Sequence, residues 1–173
     1  MKVGAIRIRP IESLEDVEIT RATLLSIEEY EEYKCYILYT NDCWWHPLPG
    51  DICYFDNWWL RSPGKYSDRA AVVDDDGSGR DYSSHVVHFD YAIRPALQIS
   101  NLGDVKVGNK IKFGGKTFTV ISPEYALCDT AIGHGAFRKD RNAADANVYE
   151  ASDVKKFVDK WFEDAVKAAE NDA

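Results

Sequence analysis

The sequence predicts an α+β fold of short, mostly antiparallel strands and hairpins with two helices, over residues 26–34 and 152–168. Three observations carry that reading. Turn-forming residues cut the apolar stretches to strand length along the whole chain. Gly114-Gly115, flanked by alternating apolar and polar residues, marks a two-residue hairpin over 110–120. Two helix signatures stand apart from these strands: the capping box Ser26-Ile27-Glu28-Glu29 and a long amphipathic run after Ser152.

Taken in order, residues 2–11 read as a short strand with Ile6 and Ile8 on one face and Arg7 and Arg9 on the other. The capped helix follows, with Ile27, Tyr30 and Tyr33 inward. Residues 35–57 are dense in aromatic and turn-forming residues, including Trp44, Trp45, His46, Pro47 and Tyr54, and read as an ordered loop. That loop lies on a strand beginning Trp58-Trp59. Side chains on a strand alternate, so the two indoles point to opposite faces, and Pro63-Gly64 stops the strand. Residues 70–74 form the next strand, 75–80 a turn and 85–90 its return strand. Residues 91–99, interrupted by Pro95, read as an edge or terminating strand.

A texture change at 100–104 separates a 1–100 segment from a 104–173 segment of one domain, 1–173. Past it come the Gly-Gly hairpin, a third short strand over 125–128 and an irregular stretch over 131–149. In the last helix Val154, Phe157, Val158, Trp161, Phe162 and Ala165 share a face. Lys155, Lys156, Asp159, Lys160, Glu163 and Lys167 lie opposite. That apolar face needs a partner, in the same chain or in a second copy.

Composition narrows the function classes. With 29 acids against 21 bases the net charge is −8, which argues against nucleic acid, whose phosphates need clustered Lys and Arg. No apolar run approaches the roughly 18 residues of a membrane span. The first residues lack the apolar core of a secretory signal, so cytoplasmic synthesis with reduced thiols is expected.

The stretch Trp58-Trp59-Leu60-Arg61-Ser62-Pro63-Gly64, then Ala-x-Val, a Gly-containing turn and Ile93-Arg94-Pro95-Ala96-Leu97, resembles an uncharacterised bacterial and phage domain family. The capped helix and the Gly-Gly hairpin with its amphipathic helix resemble that family too, with the segments in permuted order. The resemblance implies a C-type-lectin-like fold, related to that of formylglycine-generating enzymes, and phage or prophage origin, with virion association following from it. It brings no activity, and the paired active-site cysteines of the formylglycine-generating fold have no match here.

Individual residues offer few sites. Cys35, Cys43, His46 and Cys53 are soft ligands for zinc, but their spacing is irregular and Trp44-Trp45 between two of them suggests packing. His85 and His88 face opposite sides of a strand. Asp74 to Asp81 offers oxygens to calcium without the spacing of a calcium loop, and reads as a solvated turn. Arg61 and Arg94 suit either an acidic ligand or stacking on tryptophan and bonding of loop carbonyls. A Cys128–His134 nucleophile stays open with nothing to select it, and no hydrolase, phosphate-loop, zinc-protease or dinucleotide motif occurs.

The expectation is a non-enzymatic module that recognises a protein or glycan through aromatic loops, without cofactor or membrane. Ligand contacts are assigned to Trp44, Trp45, His46, Tyr54, Trp58 and Arg61. Two alternatives are an acidic, phage-encoded inhibitor of a basic host protein and a thiol- or metal-dependent enzyme.

Overall fold

A computed structural model describes residues 6–10, 16–41, 57–74, 77–81, 85–87, 89–101, 105–140, 142 and 144–171. In chain order the elements are β1 (Ile6–Ile8), β2 (Val17–Thr23), α1 (Ile27–Asn41), β3 (Trp58–Pro63), β4 (Ala70–Val73), β5 (Gly79–Arg80) and β6 (Tyr91–Ile93). They continue with β7 (Ala96–Asn101), β8 (Lys110–Phe113), β9 (Lys116–Val120), β10 (Tyr125–Cys128), β11 (Gly133–Gly135) and α2 (Asp153–Asn171), which a 3-10 turn at Tyr149–Ala151 precedes. The fold is α+β, as expected. No helix among the described residues is long and apolar enough to cross a membrane.

The strands form two sheets, one ordered β1-β2-β7-β10-β9-β8 and the other β11-β6-β3-β4-β5. The larger sheet is antiparallel throughout, and only the β3–β6 pair of the smaller one is parallel. Both sheets draw strands from each side of residues 102–104. A sheet buried on both faces loses the apolar–polar alternation of a half-exposed one. The run Ala70-Ala71-Val72-Val73 shows this, with all four residues buried. Ala70 and Val72 face a larger core shared by both sheets and α2, while Ala71 and Val73 face a smaller one beneath α1. The paired indoles divide in the same way, Trp59 into the larger core and Trp58 into the smaller.

Strand β10 bridges these cores. Ala126 and Cys128 enter the larger, and Tyr125 and Leu127 the smaller. Over the larger core, α2 buries Val154, Val158, Phe162, Ala165 and Val166. Trp161 packs edge-on against Phe113 with ring centroids 5.9 Å apart. Ser152 starts the helix by accepting the Lys155 amide on Oγ at 2.9 Å. The opposite face carries Lys155–Asp159, Lys160–Asp164 and Glu163–Lys167 pairs at i,i+4 spacing, each worth a few tenths of a kcal/mol. Phe157, assigned by its spacing to the buried stripe, is instead 44% exposed. Its ring lies over Gly133, where a Cβ would come within 2.8 Å of it.

Three other expectations change. The return strand after β4 is β5, not 85–90; His85 contributes only a bridge to Arg69. Gly77 at φ +80° donates its amide to Asp74 O at 2.9 Å, closing a turn so tight that pairing resumes by Gly79. Residues 91–99 are not one edge strand. They divide at Arg94-Pro95 into β6 and β7, in different sheets, and β7 is interior, between β2 and β10. Proline sits in the crossover, where no ladder donor is needed, and its carbonyl accepts the Cys128 amide at 2.9 Å. Helix α1 continues past residue 34 to Asn41, because Ile37 extends the inward row of Ile27, Tyr30 and Tyr33.

A groove of about 290 Å³ is lined by Ile8 of one edge strand and by Lys112 and Phe113 of the other. Ala165, Ala168 and Ala169 of α2 line the same groove, so the helix lies across the seam between the two edges.

Candidate functional site

The two distinctive motif segments lie side by side. Trp58 on β3 pairs in register with Ala92 on β6, and the Ala92 amide donates to Asn57 O at 2.9 Å. Trp59 is fully buried; its Nε1 donates to Gly135 O at 2.8 Å, and its ring meets Tyr91 at 4.9 Å and Phe137 at 5.5 Å. On the other face Trp58 meets Tyr30 edge-on at 5.5 Å, and the Arg94 guanidinium lies 5.0 Å from its ring centroid.

The two motif arginines do different things. Arg61 joins β3 to the start of α1. Its amide donates to Leu25 O at 2.9 Å, and Nη1 donates to Leu24 O at 2.8 Å and to the Glu29 carboxylate. Glu29 also closes the capping box: Ser26 N donates to its Oε1 at 2.8 Å, and its own amide donates to Ser26 Oγ at 3.1 Å. Ser62 completes the knot by accepting the Ile27 amide at 2.9 Å. Arg94, only 3% exposed, donates Nε to Cys128 O at 2.6 Å, and its buried Nη2 has no acceptor among the described residues.

Burial alone pushes the Glu29 carboxyl up, but hydrogen bonds from Arg61, Ser26 and Tyr125 outweigh it and hold the group below its ordinary 4.5. A carboxylate depressed in the folded state adds stability that is present above its unfolded value and is lost as pH falls through its folded one. Glu29→Gln is therefore expected to flatten the acid limb of a urea-midpoint profile taken from about pH 6 to about pH 3. A limb as steep as that of the wild type would remove Glu29 as its cause.

A second cluster is exposed. Tyr66, 54% exposed, follows the Pro63-Gly64 break on a turn fixed at three points. Gly64 N donates to Arg69 O at 2.7 Å, Lys65 N to Asp81 O at 2.5 Å and Arg69 N to Tyr66 O at 2.9 Å. The Lys65 ammonium lies 5.9 Å from the Tyr66 ring centroid. Asn147 Nδ2 donates to Tyr66 O at 3.0 Å, which brings the 144–148 segment, with Val148 43% exposed, alongside. That segment is itself held, since Asp145 Oδ1 lies 3.4 Å from Arg138 Nη2 and Val148 N donates to Asp145 O at 3.0 Å.

Residues 13–101, just over half of the chain, match the family described as a domain of unknown function (DUF6273). The chain belongs to the DUF6273 family. No curated protein and no solved structure matches it. The DUF6273 segment holds β2 to β7 and α1, hence both motifs, the Glu29–Arg61 knot and Tyr66. The chain beyond it supplies groups that satisfy the motifs: Cys128 O for Arg94 and Gly135 O for Trp59.

Of the residues expected to touch ligand, Trp44, Trp45, His46 and Tyr54 lie outside the described residues. So do Cys43, Cys53 and the Cys35 side chain, and with them the zinc set. Trp58 is 4% exposed, and Arg61 is engaged by Glu29 and Leu24. Among the described residues no group of three His, Cys, Asp or Glu is placed to hold a metal. Asp74 is ion-paired with Arg80. Cys128 faces the larger core, and burial pushes its thiol up, the reverse of the activation a nucleophile needs. Tyr66 was missed by sequence reasoning. Its signal was an aromatic residue set among Lys65, Ser67 and Asp68 directly after a Pro-Gly break.

Proposed function

We propose that this DUF6273 protein is a non-enzymatic binding module, C-type-lectin-like and of phage or prophage origin, that recognises a protein or glycan ligand through loop-borne aromatic residues. The observation that carries this is Tyr66, a ring 54% exposed on a turn held by backbone hydrogen bonds. An ordered, exposed tyrosine offers contact area with little entropy left to lose. Its neighbours are the Lys65 ammonium and the Asn147 side chain. An apolar ring face beside polar donors suits the C–H face and hydroxyls of a sugar, so a glycan is the better-fitting class.

The alternative of an acidic inhibitor rests on the net charge of −8, whereas the acids along α2 are paired with lysines. A printed glycan array, read with wild type and Tyr66→Ala, tests the proposal. Wild type is expected to bind a defined set of glycans, and Tyr66→Ala to bind them at least about tenfold more weakly. The urea midpoint should stay nearly unchanged, as for most exposed positions. A blank array for the wild type, or full binding by Tyr66→Ala, would sink the glycan reading.

A further inference from the structure

We propose that Arg94 is the anchor of an anion site in the smaller core, taking a carboxylate- or phosphate-type group of a small ligand on its free Nη2 donors. The four other partly buried arginines described, Arg61, Arg69, Arg80 and Arg138, each meet an acid: Glu29, Asp68, Asp74 and Asp145. Arg94 is more deeply buried than any of them and has no acid partner among the described residues. Its contacts are the Cys128 carbonyl on Nε and the Trp58 ring on one face, with Nη2 left unmet.

A buried cation without a counter-charge is costly, because its lost hydration is not made good. One carbonyl and one indole offset part of that. They also fix the guanidinium at one edge and one face, which leaves the Nη side of a rigid fork to receive an anion, the geometry that suits planar carboxylate and phosphate oxygens. The Trp58 ring beneath it excludes water and strengthens the contact. Because Arg94 is 3% exposed, uptake proceeds by local opening of the layer over the smaller core.

The test uses inorganic phosphate and acetate as probes, at ionic strength held constant with sodium chloride, on wild type, Arg94→Met and Arg94→Lys. Phosphate or acetate is expected to raise the wild-type Tm by about 4 °C or more at saturation. Arg94→Met should show no rise and should match or exceed the wild-type Tm in chloride alone, because an apolar side chain of similar length replaces an uncompensated charge. If Arg94→Met does not fold, Arg94→Lys decides: it keeps the charge without the fork, and an apparent affinity at least about fivefold weaker is expected. No rise in wild type, an equal rise in Arg94→Met, or equal affinity in Arg94→Lys would overturn the proposal and leave Arg94 a framework residue. Tyr66→Ala should retain the full rise, so this result and the glycan result stand or fall separately.

Discussion

Trp59→Ala is expected to lower the unfolding free energy by about 3–5 kcal/mol, a large share of what a domain of this size commands. The indole is fully buried in the core shared by the two sheets and α2, and its neighbours Tyr91 and Phe137 lie on either side of the 102–104 junction in the chain. Deleting it removes transfer energy and opens a cavity that rigid strands collapse into only partly. It also leaves the Gly135 carbonyl without the Nε1 donor. Trp59→Phe separates these contributions. It keeps most of the ring and loses the hydrogen bond, so about 1–3 kcal/mol is expected. Equilibrium urea unfolding by circular dichroism measures both. A loss below about 1.5 kcal/mol for Trp59→Ala would mean that the two cores do not depend on this strand.

The second large effect is at Gly114, in the hairpin turn between β8 and β9. Its φ is +60°, a conformation that costs an L-residue about 1–2 kcal/mol. A Cβ there would also lie 2.6 Å from Trp161 Cζ2 and 2.9 Å from Ala165 Cβ. Gly114→Ala must therefore push α2 off the hairpin as well as strain the turn, for a total of about 2–4 kcal/mol. Gly115 is the internal control, at φ +76° with open space around its Cβ, so Gly115→Ala should cost the backbone term alone, about 1–2 kcal/mol. Equal losses at the two positions would show that α2 does not bear on the turn. A cycle with Trp161→Ala should recover the part of the steric share that Trp161 carries, leave the Ala165 contact, and recover none of the backbone share.

What the sequence disclosed and what it withheld follow one division. Features set by near neighbours were legible: the Ser26–Glu29 capping box, the hairpin that pairs Ile111 with Phe118, and the α2 stripe apart from Phe157. So was the divergence of Trp58 and Trp59, because alternation is a property of the backbone. Features set by distant chain were not. Nothing local says that β6 and β7 belong to different sheets, since what parts them is the company each strand finds. The three residues of β11 were hidden because Gly-His-Gly carries no strand signal; β6 recruits it, and the Trp59 indole bonds its last carbonyl. The site divides likewise. Arg94 was visible as a motif residue, but that no acid among the described residues meets it depends on where distant carboxylates end up. Tyr66 was overlooked because exposure, unlike burial, leaves no periodic trace.

The interior position of β7 has a consequence for biosynthesis. One neighbour, β2, is made long before it and the other, β10, after it, with pairings that run from Val17–Asn101 to Tyr125–Gln98. A nascent chain that has just emitted the DUF6273 segment holds a strand open on one side and a larger core still lacking its helical cover. The strand is covered once β10 emerges and the core only once α2 does, so the fold of the DUF6273 segment is completed by chain made after it.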